Sequence, residues 1–146
     1  MPYLRGLFLA ELDLCLDDPR ETLIVMQEGL GIDVGKRIGF DPDLVRDDPD
    51  TVRAMQLTTL QFEKIKSFEE LTTIYLKHSS YSPRGLGKWF DGIQVGMGNK
   101  RPIDVLFAGF NETDGFNLDS LAEVSSHASF FLLKEGYDAI GAHWYN

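Results

Sequence analysis

The side chains able to move protons, attack a substrate or hold a metal are thinly scattered over these 146 residues. The three histidines, His78, His127 and His143, lie far apart, and none opens a His-x-x-x-His or His-x-Glu pair of the kind that ligates metals. Each reads as a surface or helix-end histidine. Cys15, the single cysteine, excludes an internal disulfide and falls on an apolar helix stripe, so it reads as a small core residue rather than a nucleophile. The paired carboxylates Asp17-Asp18, Asp47-Asp48 and Glu69-Glu70 are accounted for by helix caps and solvated faces. Four glycines between Gly29 and Gly39, with Lys36-Arg37 among them, invite comparison with a phosphate-binding loop. The comparison fails, because Leu30 stands five residues before Gly35 and Arg37 follows Lys36 where Ser or Thr is required. The stretch reads instead as a glycine-rich connection or short hairpin. No Gly-x-Ser-x-Gly elbow is present. We therefore expect no enzyme, and no catalytic, cofactor-binding or metal-binding residues.

Composition places the chain among ordinary globular domains: 43% of its residues are hydrophobic, 12% aromatic and 25% charged. A chain of this length hides roughly two-thirds of its unfolded surface and needs no metal or disulfide scaffold. No apolar run approaches the roughly 20 residues of a membrane span, and Glu11 and Asp13 interrupt the start where a signal peptide is apolar. A cytoplasmic protein without membrane contact is expected. The net charge of −9 is unevenly spread: residues 1–56 carry 6 basic against 12 acidic groups, 57–111 carry 7 against 5, and 112–146 carry 1 against 6. Such a chain repels phosphate except through its middle third.

The elements that must position these residues are helical. Asp18-Pro19-Arg20-Glu21 supplies a cap oxygen, a first-turn proline and a returning Glu, predicting a helix from Pro19 to about Glu28 that stops at Gly29. Asp41-Pro42 and Asp48-Pro49 repeat the opening only seven residues apart, so each launches a short helix or turn, the later one running to about Gln56. Ahead of them Leu4, Leu7, Phe8, Leu12 and Cys15 recur at helical spacing across Tyr3–Leu16. Thr58 with Gln61 forms a capping box for a long core helix carrying Phe62, Ile65, Phe68, Leu71, Ile74 and Tyr75 and ending near His78. Ser82-Pro83 opens a helix to Trp89-Phe90, Pro102 opens Ile103–Ala108, and Asn117 precedes a helix over Leu118–Glu135. The stretch Phe110–Phe116 reads as polar and turn-like. No segment sustains a two-residue alternation, so the expected fold is mainly α, a small multi-helix domain with short N-terminal helices.

The most informative stretch runs from Trp89-Phe90 to Leu106. Its Trp is followed thirteen residues later by Pro102, with Met97-Gly98 between them and Pro102-Ile103-Asp104-Val105-Leu106 closing the run. Large aromatics anchor one helix end, the loop permits a tight reversal, and the proline starts the next helix at a fixed distance. In order and spacing this stretch resembles the toxin-binding domain at the carboxy end of Xre-type antitoxins, whose partners are RES-domain toxins. Phe90 stands for that family's leucine and Asp104 for its glutamate. The closing Leu133-Lys134-Glu135-Gly136-Tyr137 is similar to the family's last helix end and short tail.

The resemblance, over about residues 57–141, implies a C-terminal helical toxin-binding unit within 57–146, preceded by an acidic N-terminal helical region over 1–56. It implies an antitoxin that neutralises an NAD-degrading toxin by covering its active site, in a homo-oligomer, with transcriptional autoregulation as a further family property. The aromatic end of the chain, Tyr137, His143, Trp144, Tyr145 and Asn146, together with Lys100 and Arg101 in the loop, is the expected toxin-binding set. DNA binding is not favoured, since residues 1–56 offer only Lys36, Arg37, Arg46 and Arg53 inside an acidic surround, apart from Arg5 and Arg20. The competing expectation is an acidic inhibitor or interaction protein of the phage type, whose carboxylates over residues 1–56 imitate nucleic-acid phosphates. A third is a small helical enzyme of a kind not identified from its motifs.

Overall fold

The helix starts at Asp18, Asp33, Asp48, Thr58 and Ser82 are set by short polar side chains that accept backbone N–H groups. A computed structural model describes residues 5–127. Helix α1 covers Arg5–Leu14 and α2 covers Pro19–Leu30, the latter capped by the Asp18 carboxylate, which accepts from the amides of Arg20 and Glu21. Three short helices follow: α3 (Val34–Arg37), α4 (Leu44–Asp47) and α5 (Pro49–Ala54), with Asp33 and Asp48 capping the first and third. The long α6 (Thr59–Lys77) opens on the expected capping box between Thr58 and Gln61. Then come α7 (Pro83–Phe90), a 3-10 helix over Val95–Met97, and α8 (Pro102–Ala108). Two antiparallel two-residue strands, β1 (Phe110–Asn111) and β2 (Gly115–Phe116), lead into α9 (Leu118–His127). The fold is mainly helical. No helix among the described residues is long and apolar enough to cross a membrane.

Helix α2 lies at the centre, packed by α1, α6, α7 and the three short helices. Its Leu23, Met26 and Leu30 are buried, and each side chain of this size contributes roughly 1.5–3 kcal/mol when withdrawn from water. On the other side of the core, Phe68 from α6 tilts against Phe90 (5.0 Å) and Phe107 (5.4 Å), and Phe107 in turn meets Phe116 (5.6 Å). Tyr75 is fully buried, and its phenol and the Ser125 hydroxyl share a hydrogen bond that ties α6 to α9. Burial pushes the Tyr75 phenol well above its ordinary range. The boundary expected at residue 56 falls in the link between α5 and α6, and side chains from both sides of it, Leu23 and Val52 with Phe68 and Phe90, belong to one hydrophobic core.

Several local expectations are corrected. Gly29 does not stop α2; it sits inside the helix because the Phe8 ring occupies the place of a side chain there. The stop is Gly31, at φ +72°, whose N–H donates to the Gln27 carbonyl. The glycine-rich stretch folds as α3 instead of a hairpin or plain loop, whereas Asp41-Pro42 opens a turn that leads into the short α4, within what its spacing predicts. Leu7, expected on the buried stripe of α1, is 59% exposed, while Phe8 and Leu12 are buried. The segment after α8 pairs Phe110 with Phe116, its reversal held by the Asn111 side chain accepting from Thr113 and Asp114.

Candidate functional site: the corner between α7 and α8

The Trp89–Pro102 stretch is a reversal between two helices. Ser82 caps α7, its hydroxyl accepting from the Gly85 amide at 3.0 Å, and Pro83 takes the first helical position. Helix α7 crosses α2 so closely that a Cβ on Gly87 would lie 1.9 Å from the Leu30 carbonyl oxygen. That contact sets the height of α7 on the core. At its end Phe90 is fully buried between Phe68 and Tyr75, whereas Trp89 is half-buried beside it.

The loop is closed by its own backbone. Gln94 donates to the Lys100 carbonyl (2.9 Å), Asn99 donates back to the Gln94 carbonyl (3.1 Å), and Gly98 and Asn99 both take positive φ, at +71° and +60°. Glycine and asparagine tolerate that conformation better than other residues, which explains their place here. Met97 points inward and is buried. Arg101 reaches back across the loop mouth to Asp91, donating to its carbonyl at 2.9 Å and approaching its carboxylate at 3.4 Å. Pro102 then begins α8, with Ile103 and Leu106 buried.

Arg37 comes to the same point from α3. Its guanidinium, nearly withdrawn from solvent, donates to the Asp91 carboxylate and to the Asp33 carbonyl (2.8 Å), with Asp104 of α8 at 3.4 Å. The planar fork of arginine can meet partners in several directions at once, which an ammonium cannot. Asp91 therefore receives two arginines and pins the end of α7 to both α3 and the start of α8.

The tip of the corner faces water. Ile93 is 57% exposed and Val95 83% exposed, with Lys100 exposed beside them. Of the expected binding residues, Lys100 stands on this surface, while Arg101 is held half-buried against Asp91. Tyr137, His143, Trp144, Tyr145 and Asn146 lie outside the described residues, as does the expected continuation of α9 to Glu135. The sequence reading missed Ile93 and Val95 as surface groups and Arg37 as part of the corner. The available signal was two apolar residues, two positions apart, in a loop whose other residues are mostly Gly and polar or basic side chains.

Elsewhere several of the chemistry-bearing groups are engaged in structure. Burial raises the Cys15 thiol above its ordinary value, and the thiol donates to the Leu12 carbonyl and accepts from the Thr22 hydroxyl, an environment unlike that of an activated nucleophile. Glu21 is held below the usual carboxylate range by its hydrogen bonds to Arg53, and Asp47 likewise by Arg46. Among the described residues no group of three His, Cys, Asp or Glu side chains converges as metal ligands would. His78 is an exposed residue at the end of α6.

No family model matches the chain, and neither a curated protein nor a solved structure matches it.

Proposed function

We propose that the protein is a non-catalytic binding module whose α7–α8 corner docks on a protein partner, and that the partner is a RES-type NAD-degrading toxin whose active site it occludes. The observation that supports docking is the exposed pair Ile93 and Val95 on a loop fixed at both ends by Asp91. Exposed apolar groups on a rigid, lysine-bearing rim are the composition of an interaction surface, and rigidity lowers the entropy lost on binding. The choice of toxin rests on the resemblance of the Trp89–Leu106 stretch. Oligomerisation and autoregulation are the same resemblance's further proposals.

The nucleic-acid-mimic reading draws less support from the contacts. It needs a free array of carboxylates over residues 1–56, yet Asp18, Asp33 and Asp48 cap helices, and Glu21, Asp50, Asp43 and Asp47 face Arg53 or Arg46.

The test is co-expression with a toxin of the RES class, reading toxin capture and cellular NAD. The chain is expected to retain the toxin and preserve NAD. The double variant Ile93→Asp/Val95→Asp, both positions exposed, is expected to keep its helical circular dichroism and lose binding by tenfold or more, about 1.4 kcal/mol. Capture undiminished by the double variant removes the corner from the interface. Failure of the unaltered chain to hold the toxin, with recovery of a nucleic-acid-handling protein instead, favours the mimic.

A further inference from the structure

We propose that the groove between α1 and α6 receives a single amphipathic α-helix from a protein partner, carrying a Lys or Arg at the middle of its apolar stripe to meet the carboxylate of Glu69. The groove has a volume of about 920 Å³ and is separate from the corner described above. Its α6 wall follows one face of that helix at three- and four-residue steps from Phe62 to Lys77, a length of about 22 Å at 1.5 Å per residue. This is the spacing with which one helix presents a seam to another, and four turns is the length of a helix rather than of a compact small molecule. Leu9 and Leu16 form the opposite wall.

Two features describe the occupant. The first is apolar surface open to water: Phe62 is 40% and Leu16 50% exposed, although Phe62 belongs by spacing to the core stripe of α6. The second is charge. Glu69 sits midway along the α6 wall, 8% exposed, and its carboxylate takes one hydrogen bond, from the Thr73 hydroxyl at 2.9 Å. A carboxylate so far withdrawn from water gains from a cation at its open side. Asp13, Asp17 and Glu70 add further negative charge to the lining, against Lys66 and Lys77, so the groove as a whole attracts a base. A second copy of this chain, at net charge −9, would bring like charge except through its middle third. Residues 128–146 offer a single Lys against two acids, Glu135 and Asp138, and so fit poorly for the same reason.

The test uses the full chain and two fluorescent synthetic helical peptides, identical in an all-leucine stripe except for a central Lys or a central Glu. The Lys peptide is expected to bind at least tenfold more tightly than the Glu peptide in anisotropy titrations, and Glu69→Gln to remove most of that preference. Phe62→Asp, on an exposed position, is expected to abolish binding while Asp50→Asn, at a residue outside the groove lining, leaves it unchanged. The proposal is overturned if the Lys peptide does not bind, if both peptides bind alike, or if Asp50→Asn weakens binding as much as Glu69→Gln. It is equally overturned if light scattering finds a dimer that Phe62→Asp dissociates, which assigns the groove to a second copy. None of these outcomes involves a toxin, so they stand apart from the corner's role.

Discussion

Arg37, on a four-residue helix in the acidic first part of the chain, donates to the carboxylate of Asp91, 54 residues further along at the end of α7. The pair makes the N-terminal helices part of the scaffold that holds the corner. Arg37→Met is expected to lower stability by about 2 kcal/mol, because it removes a charged hydrogen bond and leaves the Asp33 carbonyl without its arginine donor. Arg101→Met, at a more exposed side chain facing the same aspartate, is expected to cost less. Denaturant melts of both variants, with Arg37→Lys beside them, check the order. Lysine is expected to restore little, since one ammonium cannot serve three directions. Equal losses for Arg37→Met and Arg101→Met would show that the burial of Arg37 adds nothing.

Two glycines of the corner, Gly87 and Gly98, do different work and should respond differently to a methyl group. At Gly87 the added Cβ meets backbone, 1.9 Å from the Leu30 carbonyl oxygen, and neither helix can yield without lifting α7 from α2. Gly87→Ala is expected to cost about 3 kcal/mol or more, at the upper end of overpacking effects. At Gly98 nothing lies within 4 Å of the new Cβ, so Gly98→Ala meets only the strain of a φ of +71°, about 1–2 kcal/mol. Thermal unfolding of the two variants decides it: a Gly98 variant as damaged as the Gly87 variant would contradict the packing account.

What the sequence made legible was local. Asp18-Pro19, Thr58 with Gln61 and Ser82-Pro83 each act within a single turn, and each starts a helix where its spacing predicts. Gly29 and Gly31 show where such reasoning stops. One is demanded by a neighbouring ring and the other by a left-handed backbone, and both are written with the same letter. The same limit hid the corner's fastening. Lys36-Arg37 could be weighed only against its sequence neighbours, while Asp91 and Asp104, the carboxylates that meet Arg37, lie on elements that reach it through the fold. Exposure of Ile93, Val95 and Phe62 was likewise undetermined, because an apolar residue carries no mark of whether a neighbouring element covers it.

Glu69 provides a pH signature for the groove. Desolvation raises its pKa above the ordinary value of 4.5; the Thr73 hydroxyl and Lys77 oppose the shift, and Glu70 and Asp13 reinforce it, with Lys66 also on the lining and Cys15 close enough to feel the charge. A carboxyl that binds its proton more tightly in the folded chain than in the unfolded one stabilises the fold while protonated. That contribution is complete below the unfolded pKa and is lost as pH rises through the folded one. Glu21, held low by Arg53, has the opposite dependence, its contribution disappearing as pH falls through its folded pKa. Stability measured by denaturant titration should therefore decline between pH 4.5 and the raised pKa in the unaltered chain, and decline less in Glu69→Gln, whose amide cannot ionise. Glu21→Gln should leave that decline in place and flatten the acid limb instead. A Glu69→Gln profile parallel to the parent through this window would mean that the carboxylate is better hydrated than its burial implies, and would weaken the case for a cationic side chain seated in the groove.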